Sequence, residues 1–358
     1  MTLPYNLLML AVDALAIWLI GRTRKLIVWC VVMGCAAAIA IGLGFFLGNR
    51  YENHFGVYRL WCFGLFYHAS LLLIASAFNW RKSRPRLALA ALLAIVALIV
   101  VAANAFWIEP YRLEVSHWQV ASPKLRRPLR VLILADLQAN RLGPFEVSVL
   151  QRVKAEKPDL LLLAGDYLQT SPDRMPALRQ DFHRLLKKLQ LSAPRGVFAI
   201  RGNVDPNDWR DVFQGLDIVT VNTTRSFSLG DNVRLTCLGL QDSFNTALKL
   251  DNPQPEEFHL VLGHAPNFAL GQVEADLRAA GHTHGGQVRM PWIGPITTHA
   301  RTPHAWSSGL TDLPGGGKLS VSRGIGMERG YAPPIRFFCR PELVILDLSP
   351  PTNITPPK

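Results

Sequence analysis

The first 108 residues contain four long apolar stretches, the feature that most restricts what this chain can fold into. A helix needs about 20 apolar residues to cross the ~30 Å hydrocarbon core of a bilayer. The stretches cover residues 7–20, 26–47, 57–78 and 87–108, and the second and fourth reach that length. The pattern predicts four transmembrane helices, at about residues 5–21, 26–48, 57–79 and 87–108.

The charges between these stretches predict their orientation. Residues 21–25 carry Arg22, Arg24 and Lys25, and residues 80–86 carry four more basic side chains. Basic loops stay on the cytoplasmic side of a membrane. We therefore expect the N-terminus and everything after the fourth span to lie outside the cytoplasm, with the helices in a bacterial inner membrane. A signal peptide is the competing interpretation of the first stretch, but no basic residue precedes it and no small-residue cleavage site follows it.

Three ionisable residues fall within the apolar stretches: Asp13, Arg59 and His68. Such residues often mark functional sites in a membrane. Asp13 and Arg59 are expected near span ends, where a side chain reaches the interface or an ion-pair partner. His68 lies more centrally, and we expect it to form a hydrogen bond that packs two helices together.

The formal net charge of +12 is compatible with nucleic acid, anionic lipid or acidic substrates as partners. Lys and Arg form short scattered clusters here, and no basic helix with interleaved aromatic residues occurs, which disfavours nucleic acid. Basic residues that flank membrane spans explain the charge. The five cysteines show no CxxC spacing, so neither a thiolate zinc cluster nor a disulfide framework is indicated. The sequence leaves the oligomeric state open.

From residue 129 onward, five apolar runs are each followed by residues that bind metals in proteins, and helical patterns such as 145–155 and 179–189 lie between runs. Continuous apolar runs are typical of strands buried on both faces of a sheet, and ligands bind beyond the carboxyl ends of such strands. We expect the following residues to converge on one site: Asp136 with Gln138, Gly165-Asp166, Gly202-Asn203-Val204-Asp205, Gly263-His264, and Gly281-His282-Thr283-His284.

This ordered set resembles the motifs of the calcineurin-like metallophosphoesterases, over residues 129–348. The family pattern is Asp-x-His, Gly-Asp, Gly-Asn-His-Asp/Glu, a lone His and Gly-His-x-His. Residues 281–287, with Pro291 and the later segments 321–324 and 334–342, resemble the membrane-associated branch of the family. The resemblance implies an α/β fold, a four-layer α/β/β/α sandwich at residues 129–348. A linker at 109–128 is expected before it and a disordered tail at 349–358 after it.

The resemblance also implies two divalent metal ions, such as Mn, Fe or Zn. Asp166 is expected to bridge the two ions. Gln138 stands where the family has a His ligand, so its amide oxygen is expected to bind one ion more weakly. The remaining implied ligands are Asp136 and His284 for one ion, and Asn203, His264 and His282 for the other.

Val204 stands where the family has a His that contacts the phosphate and assists the leaving group. Val has no proton to donate, and a general acid contributes about 10²–10⁴-fold to a rate. The candidates to replace it are Asp205, which is next to this position, and His299, His304 and Arg323 downstream. Asp205 also completes a predicted catalytic set with Asp166 and Asn203. The candidates for binding the substrate are His299, His304 and Arg323.

The resulting prediction is a membrane-anchored hydrolase that cleaves phosphate mono- or diester or pyrophosphate bonds by metal-activated water. The expected substrate is lipid-linked or close to the membrane. One alternative is a UDP-2,3-diacylglucosamine-type pyrophosphate hydrolase of lipid A synthesis, which needs a cytoplasmic active site and so conflicts with the predicted orientation. The other alternative is a degenerate, non-catalytic member that binds metal or a partner, suggested by Gln138 and Val204.

Overall fold

A computed structural model describes residues 1–23, 25–50, 54–251 and 254–351. These residues fall into two units. One contains residues 1–108 together with Glu328–Pro334, and the other contains Glu109–Met327 and the residues from Ile335 onward. The charge assigned to Arg24 and most of the tail predicted at 349–358 lie outside the described residues.

In the described part of the first unit, four helices are long and apolar enough to span a membrane. Large apolar side chains are exposed along all four, as expected of helices that are apolar on every face and border hydrocarbon rather than water. The third helix contains a π-helical turn, Gly64–His68, and the fourth continues into another, Asn104–Ile108. The helices are α1 Thr2–Arg22, α2 Leu26–Asn49, α3 His54–Trp80 and α4 Pro85–Ala103.

Asp13 and His68 meet in the interior of this unit. Oδ2 of Asp13 lies 2.7 Å from Nδ1 of His68, and Nε2 of His68 lies 3.0 Å from Oδ1 of Asn6. Both Asp13 and His68 are buried. Asp13 lies in the middle of α1, so the expectation that it is near a span end is wrong, and a partner 55 residues away pairs with its Oδ2. The helix-packing hydrogen bond expected of His68 is present.

Replacing Asp13 by Leu is expected to destabilise the helical unit by about 2 kcal/mol, because the buried imidazole of His68 then loses its partner. The double variant Asp13→Leu/His68→Leu removes both polar groups. It should therefore lose less stability than the sum of the two single variants. Thermal unfolding of the full chain in detergent measures this, and strictly additive losses would contradict a direct Asp13–His68 interaction.

Arg59 lies in the first half of α3 and binds a distant segment of the same unit. Its Nη2 donates to the carbonyl oxygens of Gly330 and Ala332, at 2.8 and 2.7 Å. Two hydrogen bonds from a charged donor are among the stronger polar contacts in proteins. Arg59 therefore holds Glu328–Pro334 to the helices.

The second unit contains sixteen strands within the described residues, and five of them are the apolar runs predicted as strands. Those five are β2, β3, β4, β9 and β11 of the following set. The set covers two large sheets, the short parallel pair β8–β10 and the short antiparallel pair β12–β13. The strands are β1 Glu114–Ala121, β2 Leu129–Leu134, β3 Leu160–Leu163, β4 Val197–Ile200, β5 Val219–Val221, β6 Arg225–Ser228, β7 Val233–Cys237, β8 Lys249–Leu250, β9 Phe258–Leu262, β10 Gln272–Val273, β11 Leu277–Ala280, β12 Arg289–Met290, β13 Gly294–Pro295, β14 Gly309–Asp312, β15 Lys318–Val321 and β16 Glu342–Ser349.

Over the described ranges these strands build two six-stranded sheets. The first has the order β1-β16-β2-β3-β4-β5 and the second β14-β15-β11-β9-β7-β6. In the first sheet only β16 and β2 are antiparallel neighbours, while β2, β3, β4 and β5 run parallel. In the second, β7, β9, β11 and β15 run parallel. The strands that precede the predicted ligands thus point the same way within each sheet.

The two sheets pack face to face over one apolar core, to which Val131 and Ile133 contribute from β2 and Leu260 from β9. Alternate residues of a strand point to opposite faces, so Leu132 points outward. It packs beneath the helices α5 Pro144–Ala155 and α6 Met175–Leu189, which match the predicted helical patterns. Shorter elements, including the turn Pro266–Leu270, cover the outer face of the second sheet. The predicted α/β sandwich is confirmed.

Residues 109–128 do not form the predicted linker. They contain the 3₁₀ turn Glu109–Tyr111 and the eight-residue strand β1. β1 pairs in parallel with β16, from Glu114 beside Glu342 to Ala121 beside Ser349. Only one residue of this edge strand, Val120, is fully buried, so its sequence lacks the continuous apolar run by which the other strands were recognised.

Candidate metal centre

The carboxyl ends of strands from both sheets carry the predicted metal ligands. Asp166 follows β3 and Asn203 follows β4 in the first sheet, while His264 follows β9 in the second. Because these strands are parallel within each sheet, their ends lie at one edge of the sandwich. The complete predicted set is Asp136 and Gln138 after β2, Asp166 after β3, Asn203 after β4, His264 after β9, and His282 and His284 after β11.

Two groups of these side chains are close enough to hold a metal ion each. One group is Asp166, His264 and His282, and the other is Asp136, Asp166 and His284. Within each group the ligand atoms lie within 4.8 Å of one another. The groups share Asp166 and contain the carboxylate and imidazole members of the two ligand sets that the sequence resemblance implies. Asn203 adjoins the first group, since its Oδ1 lies 2.8 Å from Nε2 of His264.

The backbone at these ligands is conformationally strained. A non-glycine residue with a left-handed backbone costs about 1–3 kcal/mol at a functional site and persists only where the surrounding structure imposes it. Five of the predicted ligands within the described ranges have this geometry: Asp136 (φ 51°), Gln138 (φ 36°), Asp166 (φ 57°), His282 (φ 69°) and His284 (φ 49°).

Two glycines allow the loops after β3 and β4 to touch. Gly165 has φ +91°, and a Cβ atom placed on it would lie 2.5 Å from the backbone nitrogen of Gly202. A Cβ atom on Gly202 would lie 2.0 Å from Oδ1 of Asp166. Neither distance is sterically allowed, so both positions require glycine for Asp166 to reach its place.

The side chain of Asp205 links the same two loops through hydrogen bonds. Its carboxylate accepts hydrogen bonds from the backbone nitrogens of Asp166 at 2.7 Å, Tyr167 at 2.8 Å and Gly202 at 2.8 Å. The side chain is buried, and that burial raises the pKa of Asp205 to about 6. Three backbone donors engage both carboxylate oxygens, an arrangement suited to positioning Asp166.

Asp205→Ala is expected to weaken metal affinity or activity by about 10–100-fold, the usual cost of removing a group that orients a metal ligand. The loss should be the same for substrates with good and poor leaving groups, because a positioning residue transfers no proton. Rates for a series of aryl phosphodiesters whose leaving groups differ in pKa test this. A loss that grows with leaving-group pKa would instead assign Asp205 the predicted catalytic role.

Hydrogen bonds and charges set the orientation and the protonation of the imidazoles. Nδ1 of His264 donates to the Ala164 carbonyl at 2.8 Å, which directs Nε2 toward Oδ2 of Asp166, 3.4 Å away. Burial alone would lower the pKa of His264, but Asp166 and Asp136 raise it to about 9. Burial, and then the charge on His264, lower the pKa of His282 to about 3. His282 is therefore neutral at pH 7 and has a lone pair to offer.

The two carboxylates of the centre differ in their ionisation. Burial raises the pKa of Asp136 to about 7. Burial also acts to raise the pKa of Asp166, but the charge and hydrogen bond of His264 lower it below its usual value. Asp166, which both ligand groups share, is therefore the carboxylate that is most readily ionised.

Unsatisfied buried nitrogens show that this centre fits divalent metals. Nε2 of His282 and both ring nitrogens of His284 are buried and lack a hydrogen-bond partner among the residues that the structure describes. Leaving such a group unpaired costs about 1–3 kcal/mol, and a metal ion would satisfy it. Carboxylate, amide and imidazole donors together suit Mn, Fe, Zn and similar ions. The residues present therefore fit the metals that the resemblance implies.

The three predicted substrate-binding residues have different surroundings. Arg323 forms ion pairs with Glu342 at 3.0 Å and Glu114 at 3.1 Å, so two carboxylates neutralise its charge. His299 is exposed, and its backbone forms a hydrogen bond with the imidazole of His282. His304 is exposed in the turn His304–Trp306. His299 is therefore next to a metal ligand, while Arg323 is held in a carboxylate pair.

Sequence analysis missed two residues that contact the ligands. Phe244 lies edge-on to His282, with ring centroids 4.8 Å apart, at the end of the short helix α7 Leu240–Phe244 that follows β7. Cys339 is buried behind His284 and its Sγ donates to the His284 carbonyl at 3.2 Å. β7 is interrupted by Arg234 and Thr236, so it lacks the continuous apolar run that marks the other ligand-bearing strands, and Phe is not a metal donor.

The fold and the centre define a two-sheet α/β domain that binds divalent metals where its strands end. The family model described as calcineurin-like phosphoesterase matches residues 129–293. This part of the chain is a calcineurin-like phosphoesterase domain, and the protein is a metal-dependent hydrolase of phosphoester bonds.

Three relatives illustrate the range of this similarity. Uncharacterized metallophosphoesterase YkuE of Bacillus subtilis is 28% identical over 266 residues, 68% of this chain and 87% of that protein. Phosphodiesterase YaeI of Escherichia coli is 27% identical over 249 residues, 62% of this chain and 82% of that protein. UDP-2,3-diacylglucosamine pyrophosphatase LpxG of Chlamydia muridarum is 24% identical over 320 residues, 69% of this chain and 94% of that protein.

Proposed function

We propose that this protein is a membrane-anchored phosphoesterase with two metal ions, which hydrolyses a phosphate ester or pyrophosphate bond of a lipid-linked or membrane-proximal substrate. The observation that carries the proposal is the pair of three-residue ligand groups that share the buried carboxylate of Asp166. One carboxylate common to two groups is what two adjacent cations require, because it offsets their mutual repulsion. Four apolar helices in the same chain support anchoring in a membrane.

We assign one ion to Asp136, Asp166 and His284, with the Gln138 amide as a weaker ligand. The other ion is assigned to Asp166, His264 and His282, with the amide oxygen of Asn203. When bound, divalent metals supply an activated water and stabilise the charge that develops on a phosphoryl group. Asn203 is exposed, so we expect its side chain to be accessible to a phosphate oxygen of the substrate.

The chain's own residues hold this arrangement in place. Asp205 positions Asp166 through three backbone amides, and Val204 N–H donates to Oδ1 of Asp166 at 2.9 Å. Val204 provides no general acid for the leaving group. Substrates whose leaving group departs without protonation, such as pyrophosphates and aryl phosphates, need that acid least. The centre therefore favours a pyrophosphate or another bond with a good leaving group.

A specific pyrophosphate substrate, UDP-2,3-diacylglucosamine, is the second candidate. The relative named for that activity aligns with this chain over 94% of its own length. The basic loops, however, support a catalytic unit outside the cytoplasm. Reporter fusions at the C-terminus, one active only in the periplasm and one fluorescent only in the cytoplasm, decide the orientation. A cytoplasmic result would favour this second candidate.

Metal removal tests the proposed activity. The full chain in nanodiscs is expected to hydrolyse bis-p-nitrophenyl phosphate in Mn²⁺, to lose this activity after chelation and dialysis, and to regain it when Mn²⁺ returns. The same preparations, incubated with a diacyl sugar pyrophosphate in the nanodisc bilayer, report on the lipid-linked bond. Hydrolysis that persists without metal would contradict the proposal. An inactive, metal-loaded protein would support the non-catalytic alternative.

A further inference from the structure

The turn that contains His284 leads directly into a protruding hairpin. β12 and β13 pair antiparallel, with Arg289 opposite Pro295 and Met290 opposite Gly294. The hairpin ends in Pro291, Trp292 and Ile293, and its two apolar side chains are almost free of contacts. Trp292 is fully exposed and Ile293 is 79% exposed.

Further apolar side chains adjoin the hairpin. Ile296 follows β13 and is more than half exposed, as is Phe338. Phe338 lies beside the hairpin because the backbone of the preceding residue, Phe337, forms hydrogen bonds with the backbones of Gln287 and Arg289, both at 2.9 Å. We call this surface the apolar tip; it consists of Met290, Trp292, Ile293, Ile296 and Phe338. Soluble surfaces rarely expose such a group of large apolar side chains without a partner.

The base of the hairpin is packed tightly against the metal-binding turn. Nη1 of Arg289 donates to the carbonyl of Gly285 at 3.1 Å, next to the ligand His284. A Cβ atom on Gly286 would lie 2.5 Å from Cβ of Pro295, so the two chain segments are in close contact. The apolar tip therefore has a fixed position relative to the metal centre.

We infer that the apolar tip inserts into the interface of a lipid bilayer and presents the metal centre to the phosphate of a lipid-linked substrate. This inference rests on the proposed function. It deepens that function by naming the surface through which a lipid substrate is reached. Trp is the residue type most characteristic of the membrane–water interface, where its ring lies at the level of the headgroups.

The surroundings of the tip favour lipid as its occupant. The same chain supplies four helices able to span a bilayer, so a membrane is within reach of the domain. Exposed cations, Arg301 and Arg340, flank the apolar side chains in sequence and match anionic headgroups. A second copy of the chain fits less well. Two copies joined at their tips would bring the exposed Arg301 and Arg340 of one copy toward those of the other, and like charges disfavour such an interface.

Matched soluble and lipid probes test the inference in the full chain in nanodiscs that contain anionic lipid. The soluble probe is bis-p-nitrophenyl phosphate, and the lipid probe is phosphatidyl-p-nitrophenol in the bilayer, which has the same leaving group. The variant Trp292→Ser/Ile293→Ser is expected to hydrolyse the lipid probe about tenfold more slowly and the soluble probe at the parent rate. The control Val219→Ser/Leu270→Ser removes two other exposed apolar side chains of the unit and should change neither rate.

Photocrosslinking tests the membrane contact without relying on the hydrolysis rate. Benzoylphenylalanine in place of Ile293 is expected to yield lipid adducts, whereas the same group in place of Leu270 yields none. Absence of lipid adducts at 293, or crosslinks there to a second copy of the chain, would overturn the inference. Equal hydrolysis of the lipid probe by the tip variant and the parent would also overturn it. A parent that forms the lipid adduct but hydrolyses neither probe would contradict the proposed function and leave the membrane contact supported.

Discussion

Asp166→Ala is expected to lower hydrolysis of an aryl phosphodiester by at least about 10³-fold and to remove most of the bound metal. Asp166 is the one side chain that both ligand groups share. It is buried, and its neighbour His264 keeps it ionised by lowering its pKa. Its loss would leave each group with two ligands and expose the two proposed cations to unscreened repulsion.

The measurement is the initial rate together with metal content by elemental analysis. Asp166→Asn retains the size of the side chain and one oxygen but removes the charge, so it should bind less metal than the parent and more than Asp166→Ala. Asp312→Ala is the matched control, because Asp312 is exposed at the end of β14 and its surface ion pair contributes little. An Asp166→Ala protein that kept full metal content and more than a tenth of the parent rate would refute the assignment.

Val204→His is expected to accelerate hydrolysis of substrates with poor leaving groups by about 10–100-fold, part of the 10²–10⁴-fold that a general acid contributes. The backbone of Val204 donates to Oδ1 of Asp166 at 2.9 Å, so position 204 is fixed beside the carboxylate that both ligand groups share. Val204 is only half-buried and follows the exposed Asn203, which leaves space for an imidazole. With an ordinary pKa near 6.5, that imidazole can donate a proton at neutral pH.

The dependence of the hydrolysis rate on the leaving group distinguishes proton donation by His from a change in the site that speeds all substrates equally. Rates for p-nitrophenyl, phenyl and alkyl phosphodiesters should fall less steeply with leaving-group pKa in Val204→His than in the parent. Val204→Asn is the matched control, because Asn is polar but has no transferable proton in this pH range. If Val204→His and Val204→Asn gave the same leaving-group dependence, position 204 would have no access to the departing oxygen.

The ligand-bearing strands were predictable because each forms a continuous apolar run. β2, β3, β4, β9 and β11 are buried almost throughout, so nearly all of their residues are apolar and each run is followed by a polar residue. The exceptions within the strands are Arg130, His259 and Arg278. Asp136, Asp166 and His264 follow such ends. The edge strand β1 was not recognised because most of its side chains are at least partly exposed. Its partner β16 lies more than 200 residues away in sequence.

The roles of individual polar side chains were less accessible to sequence analysis. Asp205 was a candidate acid on the basis of its neighbour Val204. Its carboxylate instead faces three backbone amides, two of them from a loop 38–39 residues away. Arg323 was a candidate phosphate ligand, and Glu114 and Glu342 neutralise it. Hydrogen-bond partners depend on where loops lie in space, and local sequence does not encode that.

The amino-acid sequence was sufficient to predict the apolar and polar parts of the protein, the strands that precede the predicted ligands, and the residue types of those ligands. These features follow from burial and residue type, which act locally along the chain. The packed structure was needed to find that Asp13 pairs with His68, that Asp205 binds the loop of Asp166, and that no other part of the described fold covers Trp292. These features depend on distances between segments far apart in sequence, and such distances exist only once the sheets and helices have packed.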